Sequence, residues 1–481
     1  MLFNSYEFIL CYLPVTVLVF FILGKYSKQV ATGWIVFASF SFYGYWDIKY
    51  IPLLAMSIVF NYIVGKVIEH KYHKKIFLWF GIILDVSLLG YFKYTDFFLQ
   101  TIYGIGGVDC YDLPHIVLPL GISFFTFTQI AYLVDAYRGE TRNQSFLTYC
   151  EFVTIFPHLI AGPIINHKKM LPQFLADKTF SINYRNIGLG LSLFSMGLAK
   201  KVLIADALAP WVNSVFSNVH EINCVEAWIG ALSYTLQLYF DFSGYSEMAI
   251  GLGLMVNLTI PQNFNSPYQA TSIIDFWRRW HMTLGIWVRD YLYIPLGGNR
   301  FGELTKMRNL FASMLIIGLW HGAGWSYVFW GGTHGVLLII NHQWRRLKFA
   351  LPNRINWLLT FLCVTVCWVF FRADSLYEGL LVFKSMLDIS SFALPDNAWY
   401  IEHFVEYGFS FDTWHIKASL GRCFISLVVL MLLVVKVKNP VALMEEIKPS
   451  YKLLIFTNIL FLVCLYYIGA RGTGEFLYFQ F

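Results

Sequence analysis

Charge is scarce in this 481-residue chain: Asp, Glu, Lys and Arg make up 13% of it, about half their share in an ordinary soluble domain, against 57% hydrophobic and 19% aromatic residues. That balance excludes a soluble globule. A net charge of only +6, scattered between apolar runs, is too small to indicate a nucleic-acid binder. The eight cysteines are sparse; Cys363 and Cys367, the one close pair, sit inside the apolar run 361–371 without a CxxC partner and read as helix packing. Residues 1–23 carry neither a basic leader nor a small-residue cleavage site, so they are expected as a retained first span. Motifs for several chemistries are missing too: there is no GxxxxGK[ST] phosphate loop, no HExxH zinc helix and no GxSxG elbow. The Gly104-Ile-Gly-Gly107 run lacks the strand and helix of a dinucleotide site, and His281 with His321 lacks a third ligand, so no metal is expected.

What the chain does have is apolar length. A helix needs about 20 mostly apolar residues to cross a membrane, and about a dozen segments qualify: near 6–24, 30–46, 50–68, 76–95, 116–136, 146–165, 186–210, 226–256, 308–340, 355–371, 420–436 and 452–470. The 308–340 stretch fits one long helix or two. The expected fold class is an all-α integral membrane protein, a polytopic bundle of roughly 11 spanning helices with some broken or re-entrant elements. Lys and Arg resist translocation. Lys25 and Lys28, then Lys66, Lys71, Lys74 and Lys75, then Arg138 and Arg142 fall in alternate loops, which places those loops in the cytoplasm and the N-terminus outside; the fourth-span loop instead mixes Lys93 with Asp96, Asp109 and Asp112. Lys168 and Lys169 break the alternation, so 146–165, with Pro157, Gly162 and Pro163, is expected to be a broken element. Two polar stretches interrupt the apolar pattern. Residues 257–308 are rich in arginine and aromatics; residues 390–417 are acidic and aromatic and read as an outer loop for a partner or substrate.

An ionisable side chain in an apolar run is costly and marks a bundle interior or a wet cavity, so the twelve histidines can be sorted by surroundings. His70, His73, His115, His167, His220, His403 and His415 lie in loops and read as solvated; His158, His334 and His342 are intermediate. His321 lies in Gly318-Leu-Trp-His-Gly-Ala-Gly-Trp325, where three glycines allow a helix or an acyl chain to approach closely. It reads either as a histidine held between packed helices or as a general base that takes a hydroxyl proton during attack on an acyl carbonyl. His281 lies in Phe276-Trp-Arg-Arg-Trp-His-Met-Thr-Leu284. Arg278, Arg279 and the tryptophans there suit a plain headgroup-level belt, or a mouth for a phosphate-bearing donor with Arg289 as a third contact. Asp241 and Glu247 are buried-looking acids, fit either for a structural ion pair or for a cavity wall.

In their order and wording, several blocks resemble the membrane-bound O-acyltransferase superfamily, in particular its bacterial alginate O-acetyltransferase-like branch. They are Leu118-Pro-Leu-Gly-Ile-Ser-Phe-Phe-Thr-Phe127, Tyr132-Leu-Val-Asp-Ala-Tyr-Arg-Gly139, Phe156-Pro-His-Leu-Ile-Ala-Gly-Pro163, Tyr239-Phe-Asp-Phe-Ser-Gly-Tyr245, Asp275-Phe-Trp-Arg-Arg-Trp-His281, Arg289-Asp-Tyr-Leu-Tyr-Ile-Pro-Leu-Gly-Gly-Asn-Arg300, Gly318-Leu-Trp-His-Gly-Ala323 and Phe479-Gln-Phe481. The resemblance implies a helical bundle around a central tunnel, with His321 catalytic and His281 a second essential residue nearer the cytoplasmic mouth. Trp280, Arg278, Arg279, Arg289, Asp290, Trp320 and Asp241 are the expected donor- and substrate-binding residues. One domain is expected over 1–481, its family-like core at about 114–345 between N-terminal helices 1–113 and C-terminal helices 346–481. The implied donor is acetyl-CoA or another acyl thioester, with no bound cofactor. The implied acceptor is an extracytoplasmic polysaccharide or a periplasmic partner protein, and the implied setting a bacterial cell membrane. Acyl transfer to teichoic acid or peptidoglycan is an alternative. A transporter of an anionic polymer precursor is another; the chain lacks the paired Gly/Pro-broken segments such a fold would show.

Overall fold

The computed structural model describes every residue except 71–72, 107–112, 142–143, 348–349, 397–409, 447–449 and 481. Lys71, Gly107, Asp109, Asp112, Arg142, His403 and Phe481 therefore lie outside the described residues. Among the described residues the architecture is helical, and strand pairing is confined to a two-residue parallel bridge between Leu394–Pro395 and Phe411–Asp412. Among the described residues six helices are long and apolar enough to cross a membrane: Glu7–Gly24, Ile48–His70, Lys74–Gly106, Tyr184–Phe216, Asn353–Arg372 and Tyr451–Arg471. The protein is a multi-pass membrane protein. Other expected segments form helices that are shorter, such as Lys28–Gly44, Ile122–Tyr137 and Leu420–Lys436. The amphipathic helix Leu376–Leu387 went unseen in the sequence because Glu378 and Lys384 interrupt its apolar run.

Two compact units divide the chain. The first comprises residues 1–198, 245–263 and 444–480. Here the segment 146–165 is broken, as its Lys168–Lys169 anomaly suggested: helix Phe146–Thr154 stops at Ile155 and a single turn, Phe156–Leu159, follows. Neither piece can span a bilayer at about 1.5 Å per residue. His158 is fully buried there, its Nδ1 2.9 Å from the Pro163 carbonyl and its Nε2 3.1 Å from Thr128 Oγ1, a structural role. His167, read from sequence as solvated, is also buried and lies 2.6 Å from Gln144 Oε1, because helix His167–Leu175 turns its first residue inward.

The second unit comprises residues 199–244 and 264–443. Its centre is the helical hairpin Glu303–His321 and Trp325–Trp344, so the 308–340 stretch is two helices. The break at 322–324 keeps its glycines for a packing reason: a Cβ on Gly322 would sit 2.1 Å from the Tyr327 ring. Further along the hairpin a Cβ on Gly318 would meet the Tyr327 carbonyl at 2.4 Å, and one on Gly331 the Met314 carbonyl at 2.4 Å. The small residues thus bring two backbones into direct contact, the usual device of membrane helix pairs.

In the same unit a π-helical turn, Lys200–Ala205, carries Lys201 inward to an ion cluster. Its Nζ lies 2.7 Å from Asp241 and 2.8 Å from Asp206, with Lys201 and Asp241 almost fully buried. Removing one member of a buried pair strands the other charge. Lys201→Met is expected to cost about 3–5 kcal/mol, seen as a lowered unfolding temperature in detergent, with part of the loss restored in the Lys201→Met/Asp241→Asn double variant.

Candidate active site

Two histidines from different elements meet inside the second unit. His321 ends its helix, where the glycine break removes any following turn that would cover it. His281 sits in the gap between the short helices Ile273–Arg279 and Met282–Val288, with φ of 43°. That left-handed backbone is unusual for a non-glycine residue, and strain of this kind persists where the surroundings over-determine a side chain's direction. His281 and His321 are 1% and 4% exposed, and their ring centroids are 6.5 Å apart. Two imidazoles at this spacing can both reach one small reacting group, which is what proton transfer to and from an attacking hydroxyl requires.

The walls are aromatic. Trp320 packs 5.0 Å from His321 and 6.2 Å from His281, Phe242 stands edge-on to His281 at 4.8 Å, and Trp330 and Phe371 each stand edge-on to His321 at 5.2 Å. Trp280 is buried in a stack with Phe276, Phe264 and Trp368, one step from the histidines. Asp241 turns from this chamber to Lys201, and its neighbour Phe242 supplies the contact with His281.

In the same unit lies a cavity of about 650 Å³, which neither His281 nor His321 lines. Trp277, Met282, Ser313, Met314, Ile317 and Leu338 form its apolar body; in the chain Met282 follows His281 and Ile317 lies one turn before His321. Arg278, Arg289, Lys306, His342 and Asn299 also line it. The arginines differ in their availability. Arg279 is paired at i,i+4 with Asp275 and does not line the cavity. Arg289 makes a two-pronged bond to Asp290, at 2.7 and 3.1 Å, which holds its guanidinium above its ordinary pKa. Arg278 is exposed and has no acidic partner among the described residues. Sequence reasoning missed Lys306 and His342 as site residues: Lys306 is one of several cations in the polar stretch 257–308, and His342 reads as intermediate. Among the described residues no three His, Cys, Asp or Glu side chains gather as a metal-ligand set.

Two buried histidines in an aromatic chamber, with a cation-lined cavity in the same helical unit, suit acyl transfer within a membrane. The chain matches the membrane-bound O-acyltransferase family over residues 19–377, and it belongs to that family. It is 41% identical over 515 aligned residues to a peptidoglycan O-acetyltransferase of Helicobacter pylori, covering 100% of this chain and 98% of the relative. It is 41% identical over 408 residues to a probable alginate O-acetylase of Pseudomonas aeruginosa, covering 82% and 76% respectively. A teichoic acid D-alanyltransferase of Streptococcus thermophilus is 27% identical over 241 residues, 48% of this chain and 58% of that one. The protein is an O-acyltransferase, and the transporter alternative is set aside.

Proposed function

We propose that the protein, acting as one acyltransferase domain in a bacterial cell membrane with its N-terminus outside, moves acetyl groups from acetyl-CoA or another cytoplasmic acyl thioester to hydroxyls of an extracytoplasmic polysaccharide. The observation that carries this reading is the pair of buried imidazoles 6.5 Å apart in a unit that also holds the cation-lined cavity. In it, Arg278 and Lys306 receive the donor's phosphates, with Arg289, held by Asp290, completing the rim. The apolar body of the cavity takes the pantetheine arm, and Trp280 and Trp320 exclude water from the thioester. His281 orients the donor, and His321 takes the acceptor proton. Asp241 serves the donor site indirectly by anchoring the helix that bears Phe242. Peptidoglycan is the first acceptor to test, supported by the match that spans the whole chain. An alginate-like exopolysaccharide is the second, supported by the similarity over 82% of the chain; in that case the 390–417 segment is the surface offered to a periplasmic partner protein.

Two measurements test the reading. Mass spectrometry of peptidoglycan and exopolysaccharide from wild-type cells and cells carrying His321→Ala is expected to show acetyl esters lost from one polymer; unchanged esters in both would refute it. Arg278→Gln/Lys306→Gln is expected to raise KM for acetyl-CoA about tenfold, as loss of exposed phosphate contacts does, with kcat nearly unchanged. An unaltered KM would remove these residues from the donor site.

A further inference from the structure

Acyl transfer from a thioester puts negative charge on the carbonyl oxygen, and preorganised N–H donors at that oxygen are a large source of rate. Neither His321 as a base nor His281 beside the donor accounts for where that charge goes. Two buried donors stand close by. Trp330, fully buried, has its ring edge-on to His321 at 5.2 Å, and its indole Nε1–H has no hydrogen-bond partner among the described residues. His334, one turn further along the same helix and also fully buried, packs 4.9 Å from Trp330.

The hydrogen bonding of His334 fixes its tautomer. The indole N–H of Trp277 donates to His334 Nδ1 at 3.3 Å, so in the neutral ring the proton resides on Nε2. That Nε2–H has no partner among the described residues, and Phe276, Trp277, Trp330 and Trp368 around it offer no acceptor oxygen. Buried donors are satisfied as a rule, because an unmade hydrogen bond in apolar surroundings is costly. Two unmet N–H groups in adjacent side chains, one belonging to the indole that packs on His321, point to an acceptor supplied by something that binds.

We propose that Trp330 Nε1–H and His334 Nε2–H form the oxyanion site for the acyl carbonyl of the donor. This rests on the reading of the donor as an acyl thioester. As the acceptor hydroxyl oxygen attacks the carbonyl carbon, its proton passes to His321 and the C=O π pair moves onto the oxygen held by the two donors. Collapse re-forms C=O and breaks the C–S bond, and the proton on His321 passes to the departing sulfur. Trp277 is a positioning residue here: its N–H keeps the His334 proton on the side of the substrate.

The test uses the purified full-length protein in liposomes, with acetyl-CoA, its dithioester analogue and glycan strands released from peptidoglycan. Trp330→Phe and His334→Phe are each expected to lower kcat about 10²-fold, as removal of one oxyanion donor does elsewhere, with KM little changed. His334→Gln, whose amide can accept from Trp277 and still donate, is expected to recover much of the rate. The dithioester carries a weakly accepting C=S, so the wild type is expected to prefer acetyl-CoA by a wide margin and both Phe variants to lose that preference. A wild type that turns over the two donors equally overturns the assignment even where a variant fails to fold. So do Phe variants at wild-type kcat, which leave the donor reading standing. A wild type that leaves acetyl-CoA untouched overturns the donor reading and the assignment together.

Discussion

His321→Ala is expected to lower acyl transfer about 10²- to 10⁴-fold, the range for removing a positioned general base, while the protein still reaches the membrane at normal levels. The expectation of intact folding follows from the surroundings. His321 lies at the end of its helix, so alanine disturbs no following turn, and the rings of Trp320, Trp330 and Phe371 that enclose it are anchored on their own helices. A cavity lined by aromatic rings costs stability but leaves the hairpin's glycine contacts untouched. The measurement is the rate of thioester cleavage dependent on acceptor, in protein that elutes as a single species. Retention of a tenth or more of the wild-type rate would remove His321 from the chemistry. Loss of kcat with KM held would mark its contribution as one made in the transition state.

The second large effect is structural and is expected at Gly331. A Cβ there would lie 2.4 Å from the Met314 carbonyl and 3.1 Å from Gly318 Cα, and both obstacles are backbone. Neither helix can yield without separating over its length, and separation would move Trp330 away from His321. Gly331→Val is therefore expected to exceed the roughly 1–3 kcal/mol typical of an overpacked core and to abolish folded protein. Gly332→Ala is the matched control, since its Cβ would find nothing nearer than a Leu315 methyl at 3.4 Å. Size-exclusion profiles and unfolding temperatures of the two variants check the pair. A well-folded Gly331→Val protein would mean that the hairpin contact is looser than drawn.

Much of this was legible in the sequence because the membrane penalises charge. An imidazole inside an apolar run stands out, as His321 does, whereas His281 is marked by the arginines and tryptophans around it; the two-lysine anomaly at 168–169 flagged a broken element that proved to be two short helices. The penalty is silent about direction around a helix. Arg278 and Arg279 are adjacent and chemically alike, yet one lines the cavity and the other is tied to Asp275. Nothing in the sequence ties Lys306, in a polar stretch, to His342, an intermediate case 36 residues on, and only the packing of their helices brings both to the cavity that also holds Arg278. Trp330 and His334 were equally hidden: a tryptophan and a histidine four residues apart in an aromatic helix look like filler until their polar atoms are counted.

The sequence by itself determined that the chain is a helical membrane protein, which family it resembles, and which two histidines to examine, because hydropathy and local motifs depend on residues near one another in the chain. The tertiary structure decided which cations face the cavity, that His281 and His321 share one aromatic chamber, and that the Trp330 and His334 N–H donors have no acceptor among the described residues. Those facts depend on contacts between helices, set by the close approach of backbones at Gly318 and Gly331 and by the strained turn at His281, and no period or spacing along the chain encodes them.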